Sequence, residues 1–140
     1  MTTTTKQARG GFLTCIAIGL ALLAVSNASK ALQYYFNPEI GGVVIFGLRA
    51  QSVSANLFFG PLMGGLMALY AYGVWNLRPW IKYASMVHAF YVPTNLIFFW
   101  FHETGPTQMP LHFLAAYLCV ALPGSIGTAL YVASHPEKLC

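Results

Sequence analysis

Apolar residues fall into four long runs along the chain, and short polar or turn-rich stretches separate them. Each run reaches the roughly 20 residues that an α-helix needs to cross the hydrocarbon core of a bilayer. The runs cover residues 12–32, 52–75, 80–101 and 111–134. This pattern predicts an all-α integral membrane protein. We expect a bundle of four transmembrane helices forming a single domain over residues 1–140, with a longer outer loop between the first and second helices.

The first apolar run has two interpretations. Lys6 and Arg9 precede it, and Ser26-Asn27-Ala28 near its end have the small-x-small form of a cleavage site, so the segment resembles a secretory signal peptide. The same length and apolar character fit a transmembrane helix that remains in the protein. We expect the second, which makes this run the first helix of the bundle.

The predicted outer loop contains a short apolar run of its own. Asn37-Pro38 and Gly41-Gly42 are turn signals, and the run VVIFGL, residues 43–48, follows them. Because it is too short to span a bilayer, it could form an interfacial helix, a buried cap or a short strand. Exposing it to water would cost about 25 cal/mol for each Å² of apolar surface. We therefore expect it to fold back over the outer mouth of the bundle.

Composition agrees with a chain whose main solvent is lipid. Hydrophobic residues make up 57% of the sequence and charged residues 7%, whereas soluble proteins carry roughly 25% charged residues. The net charge of +4 comes from Lys and Arg residues that are scattered singly. With no basic run and no RNA-binding motif, we expect no nucleic-acid partner.

The basic residues also predict an orientation. Five of them lie on the side of the predicted bundle that holds the termini, and two lie on the other: Lys6, Arg9, Arg78, Lys82 and Lys138 against Lys30 and Arg49. Loops rich in Lys and Arg stay in the cytoplasm. The distribution predicts both termini on the cytoplasmic side, and we expect a bacterial inner membrane.

Three asparagines lie near the predicted outer ends of their helices. Asn27, Asn56 and Asn95 should be at similar depth, each about one and a half turns from the end of its helix. An amide without a partner in hydrocarbon costs several kcal/mol. The three are therefore expected to face inward and to meet each other or water. They could serve only to hold the helices together, which is the simpler interpretation, or they could line a small polar pocket open to the outside.

The third predicted helix carries polar residues on one face. His88, Asn95 and His102 are spaced by seven residues, whereas Phe90 and Ile97 lie on the opposite face. An ionisable residue inside a membrane helix is a functional candidate, although a neutral histidine bonded to a neighbouring helix is common. The candidate ligand-binding residues are His88, Asn95, His102, Asn27 and Asn56.

Histidine and glutamate also occur together in FFWFHETGPTQMPLH, residues 98–112. A zinc-protease helix needs HExxH, but here the chain reads HETGP, and Gly105-Pro106 break the helix. His102 and His112 could still hold a metal, with Glu103 or Met109 assisting. We expect instead an ordinary hairpin between two membrane helices, with no metal site and no catalytic residue.

Two function classes remain. Glu39, Glu103 and Glu137 all lie outside the predicted helices, which disfavours exporters and isomerases that rely on an intramembrane carboxylate. The leading interpretation is a non-catalytic protein, an accessory or scaffold subunit of a larger membrane complex, in contact with lipid and with other subunits or a second copy. The alternative is a binder, carrier or enzyme for a lipid, quinone or pigment that uses the outer polar pocket. The sequence indicates no particular cofactor.

Overall fold

The chain is mostly helical in the computed structural model, which describes residues 10–39, 42–102 and 111–139. The helices are α1 (Gly11–Ala28), α2 (Lys30–Phe36), α3 (Val53–Trp75), α4 (Ile81–His102), α5 (Leu111–Leu122) and α6 (Thr128–Ser134). A π-helical turn, Pro123–Gly127, joins α5 to α6, and a 3-10 turn, Pro136–Lys138, follows α6. Two short strands, β1 (Val44–Ile45) and β2 (Leu48–Arg49), lie between α2 and α3.

Helices occupy all four of the predicted apolar runs. Within the described ranges, α1 and α3 are long and apolar enough to cross a membrane. The first run is divided, because the helix is interrupted at Ser29 and resumes as α2. The fourth is divided at Pro123, which has no N–H to continue the α-helical hydrogen bonds. The fold is mostly helical but not all-α as its class was predicted, since the two strands lie between α2 and α3.

The strands form a β-hairpin, which defines one end of the bundle, called here the hairpin end. Val44 pairs with Arg49 and Ile45 with Leu48 in antiparallel register. Phe46 and Gly47 form the turn with φ of 47° and 78°, and positive φ at both central residues is typical of a type I′ hairpin turn. The apolar run 43–48 is therefore a short strand pair, one of the three predicted alternatives, and it folds back against the bundle as expected.

Helices α1 and α3 pack closely because α3 presents glycines to α1. A Cβ atom added at Gly60 would lie 2.7 Å from the carbonyl oxygen of Asn27, and one at Gly64 would lie 2.8 Å from that of Ala24. Small residues at four-residue spacing let two backbones approach to this extent. The contact between α1 and α3 therefore continues almost to the hairpin end.

The main apolar core lies toward the opposite end, near the turn between α3 and α4. It combines residues of α1, α3, α6, the turn between α3 and α4, and the start of α4: Leu13, Ala17, Leu20, Tyr70, Ala71, Val74, Leu77, Ile81 and Val132. Leu77 is buried within the turn and adopts a positive φ of 53°. The space described next lies between this core and the hairpin, since Leu20 of the core and Val44 of the hairpin both line it.

Candidate functional site

A cavity of about 550 Å³ lies between α1, α3, α4 and the π-helical turn. Small-molecule sites typically enclose roughly 300–1,000 Å³. Most of the wall is apolar, and it includes Ile16, Leu20, Leu23, Met63, Met67, Val92 and Val120. Val44 of β1 also contributes, so the hairpin forms part of the wall. The sequence predicted a small polar pocket, but the observed cavity is larger and mainly apolar.

Few polar side chains lie in this wall. Asn27, His88, Asn95 and Ser125 are among the residues that line it. Ser125 donates its hydroxyl hydrogen to the carbonyl oxygen of Ala121 over 2.7 Å, so this donor is already used within the chain. Sites for small molecules usually combine apolar walls with a small number of placed polar groups, and this lining has that character.

His88 is the most distinctive of these polar residues. Its imidazole is half-buried and packs against the ring of Tyr70, with the ring centroids 4.9 Å apart. Both His88 Nδ1 and the Tyr70 hydroxyl are buried without a hydrogen-bond partner among the described residues. Buried polar atoms in proteins are nearly always paired, so each exception calls for a physical reason. Because His88 Nδ1 is shielded from the cavity as well as from solvent, only Nε2 of this imidazole is available to a molecule in the cavity.

Asn95 both lines the cavity and holds the hairpin. Its Oδ1 accepts a hydrogen bond from the backbone N–H of Gly47 over 2.9 Å. Two further contacts on α4 flank this bond: the ring of Phe46 packs edge-on against Tyr91, and the Arg49 guanidinium lies 5.5 Å from the centroid of the Phe99 ring. The turn of the hairpin is therefore anchored to the same helix face that lines the cavity.

Asn56 does not line the cavity but forms hydrogen bonds to the base of the hairpin. It is completely buried at the start of α3. Its Oδ1 accepts from the Val43 N–H at 2.8 Å, and its Nδ2 donates to the carbonyl oxygens of Ala50 and Ser52, both at 2.9 Å. One amide thus joins the chain entering β1 to the chain leaving β2. Asn56 fixes the base of the hairpin.

The three amides were expected to face inward and to meet each other or water, but the hydrogen bonds found among the described residues join each of them to backbone groups. Asn56 bonds to the base of the hairpin and Asn95 to its turn, whereas Asn27 donates from Nδ2 to the Leu23 carbonyl of its own helix at 2.9 Å. Asn27 and Asn95 still line the same cavity. Each amide therefore satisfies at least one backbone group.

The heptad face of α4 is only partly directed inward. His88 and Asn95 line the cavity, and Phe90 on the opposite face is 77% exposed, as expected. His102 is exposed, and its Nδ1 is 2.7 Å from the Phe98 carbonyl oxygen of the same helix. A straight α-helix drifts about 20° for every seven residues, so positions two heptads apart do not share one narrow face.

The proposed hairpin with its histidine and glutamate lies mostly outside the described residues. Residues 103–110 are not described, and of His112 only the helical backbone is. Within residues 10–39, 42–102 and 111–139, no cluster of three His, Cys, Asp or Glu side chains could hold a metal ion.

Sequence reasoning missed several residues that shape the cavity. Val44 belongs to a run whose conformation was left open, and Met63 and Met67 resemble ordinary apolar helix positions. Gly47, whose N–H bonds to Asn95, lies in the same run as Val44 and positions the hairpin against α4. Gly47 did carry a signal, since a glycine inside an apolar run often marks a turn.

Comparison with known proteins assigns no family. The sequence matches no protein-family model, and neither curated proteins nor solved structures include a significant match. Function is therefore inferred from the cavity and the residues around it.

Proposed function

We propose that this protein is an integral membrane protein that crosses the bilayer four times and binds a small, mainly apolar molecule in the cavity between α1, α3 and α4. The observation that carries the proposal is the cavity of about 550 Å³. Its walls are apolar, and His88 and Asn95 supply polar groups from a single helix. A well-formed apolar pocket with a few convergent polar groups is the default hypothesis for a binding site.

The outward faces of the helices support residence in lipid. Large apolar side chains are exposed on four helices, including Leu22 on α1, Phe58 on α3, Phe90 on α4 and Leu130 on α6. Exposed apolar patches of this extent are rare on soluble monomers. In a bilayer the same surface contacts acyl chains, so its exposure costs little.

Helix α4 can also cross the bilayer, although its composition is more polar than that of α1 and α3. Its polar side chains point away from lipid: Ser85 is completely buried, and His88 and Asn95 line the cavity. Its 22 residues extend over about 33 Å, compared with a hydrocarbon core of about 30 Å. We propose that α4 forms the third span, and that α5, the π-helical turn and α6 together form the fourth.

The four-span proposal predicts which loops a reagent added outside the cell will reach. Basic residues favour a cytoplasmic location for the termini and for the turn between α3 and α4. In a background with all three native cysteines replaced by serine, Glu39→Cys should react with an impermeant maleimide and Arg78→Cys should react only after lysis. Both residues are exposed, so each thiol is accessible from its own side. The reverse pattern would refute this orientation.

Filling the cavity provides the test of binding. Gly19 lines the cavity, and a Cβ atom added there meets nothing within 4 Å. The ring of Gly19→Phe can therefore occupy the ligand's space without pressing on the backbone. We expect native mass spectrometry of the protein, purified in mild detergent, to detect a small molecule on the wild type and to lose it in Gly19→Phe.

The matched control is Gly65→Phe, because Gly65 also has nothing within 4 Å but lies exposed on α3, outside the cavity. This variant should keep the bound molecule. A wild type that carries no such molecule, or a Gly19→Phe variant that keeps it at the wild-type occupancy, would contradict the proposal.

An accessory role in a larger membrane complex is the second candidate. The feature that favours it is the lack of any acidic residue within α1 to α6, which leaves little scope for acid–base chemistry inside the bundle. Mild-detergent purification separates the two roles. A protein that co-purifies equally with the wild type and with Gly19→Phe supports the accessory role, because cavity filling leaves the outer surface unchanged.

A further inference from the structure

We propose that the ligand of this cavity is an uncharged amphiphile: an apolar chain with a hydroxyl or carbonyl group that hydrogen-bonds to His88. This inference rests on the proposed function and specifies the chemical class of the bound molecule. It follows from three properties of the cavity, namely the absence of charged side chains among its described lining residues, the imidazole without a hydrogen-bond partner and the elongated shape.

No charged side chain is present in the described lining. The polar residues there are neutral amides, a hydroxyl, a phenol and His88, and α5 contains no Asp, Glu, Lys or Arg. The cations nearest in sequence to the hairpin end are engaged elsewhere. Lys30 donates to Gln33 Oε1 at 3.1 Å, and Arg49 lies over the Phe99 ring. A carboxylate, phosphate or ammonium group would therefore be desolvated without a compensating charge.

The ligand is nevertheless expected to carry a polar group. His88 lines the cavity, and its imidazole forms no hydrogen bond with a described residue. Because Nδ1 is completely buried, the nitrogen available to a molecule in the cavity is Nε2. A purely hydrocarbon ligand would leave this group unsatisfied. A neutral imidazole has one donor and one acceptor nitrogen, so it can bond to a hydroxyl group or donate to a carbonyl oxygen.

The shape of the cavity favours a chain over a compact molecule. The lining on α1 begins at Ile16 and ends at Asn27, positions that are separated by roughly 16 Å along the helix axis. A volume of about 550 Å³ distributed over this length is elongated. The wall includes Met63 and Met67 of α3, and flexible thioether side chains adapt to apolar chains of differing shape.

Competition binding with a series of equal chain length tests this inference. The full-length protein in nanodiscs of zwitterionic lipid is equilibrated with radiolabelled dodecanol, and the label displaced by each competitor is measured. Empty nanodiscs correct for partition into lipid. Methyl decyl ketone should compete about as well as unlabelled dodecanol. Dodecane should be weaker by about fivefold, the factor for one net hydrogen bond. Dodecanoate and dodecylammonium should be weaker by about tenfold or more, because they bring an unpaired charge.

Substitution of His88 identifies the polar contact. His88→Leu should remove the preference for dodecanol over dodecane, and Tyr83→Phe, which removes a hydroxyl group from an exposed site on the same helix, should retain it. The inference is overturned if dodecanoate or dodecylammonium competes as well as dodecanol, or if His88→Leu keeps the wild-type preference. If dodecanol binds the wild type no better than Gly19→Phe, the proposed cavity site itself fails, and this inference fails with it.

Discussion

The Gly47→Ala variant should lose about 3 kcal/mol of unfolding free energy, because strain from a left-handed residue contributes about 1–2 kcal/mol and overpacking about 1–3 kcal/mol. Gly47 has a φ of 78°, and a Cβ atom added there would collide with the backbone carbon and Cβ of Phe98. These atoms belong to a helix and cannot yield as a flexible side chain would. The hairpin must therefore move away from α4, which also breaks the bond from Gly47 N–H to Asn95.

Two measurements check this result. Unfolding in mixed micelles gives the change in free energy, and limited proteolysis reports whether residues 43–48 become accessible. Gly65→Ala is the matched control, since a Cβ atom there meets nothing within 4 Å, and alanine in a helix is favoured over glycine by up to about 1 kcal/mol. Wild-type stability together with wild-type protease resistance in Gly47→Ala would show that the hairpin is not docked through this residue.

Asn56→Leu should destabilise the protein at least as much as Gly47→Ala does, with an expected loss of about 4 kcal/mol of unfolding free energy. Each backbone group left unpaired in a buried site costs about 1–3 kcal/mol. The completely buried amide satisfies the Val43 N–H and the carbonyl oxygens of Ala50 and Ser52. Leucine is close in size but leaves the Val43 N–H and the Ala50 carbonyl without this partner, whereas the Ser52 carbonyl keeps its bond from the backbone N–H of residue 56. Water entering at the hairpin end can replace part of what is lost, so the expected loss lies below the upper end of the range for two groups.

The control for this substitution is Asn76→Leu. Asn76 donates from Nδ2 to the Tyr72 carbonyl of its own helix in an exposed bond, so its replacement should change the unfolding free energy by about 0.5 kcal/mol or less. Equal effects of the two substitutions in the same unfolding assay would argue that Asn56 contributes no more than a surface amide does.

The positions of the helices could be predicted from the apolar runs, because a continuous apolar stretch of this length has few other ways to satisfy its backbone groups in an apolar environment. The inward placement of His88 and Asn95 could be predicted for a similar reason, since a seven-residue spacing puts two polar side chains on nearly one helix face. The prediction failed at His102, where the accumulated rotation and the end of the helix expose the side chain to solvent.

The hairpin and the cavity could not be predicted in detail. The partners of Asn56 are backbone groups of a loop, and nothing in the loop's hydrophobic pattern specifies which carbonyls will turn toward α3. The cavity results from side chains that do not meet, and Gly19 and Gly124 contribute to it by leaving space. Such a space depends on the relative positions of four segments, whereas a sequence pattern describes one segment at a time.

Photoaffinity mapping in nanodiscs tests most directly whether the cavity holds an amphiphile. The probe is dodecanol with a diazirine near its methyl end, cross-linked by light and located by peptide mass spectrometry. The account predicts adducts on cavity residues such as Leu20, Met63 or Met67, lost on addition of excess dodecanol and absent in Gly19→Phe. Adducts confined to outward-facing residues such as Leu22 and Phe90, and unchanged by the competitor, would contradict it.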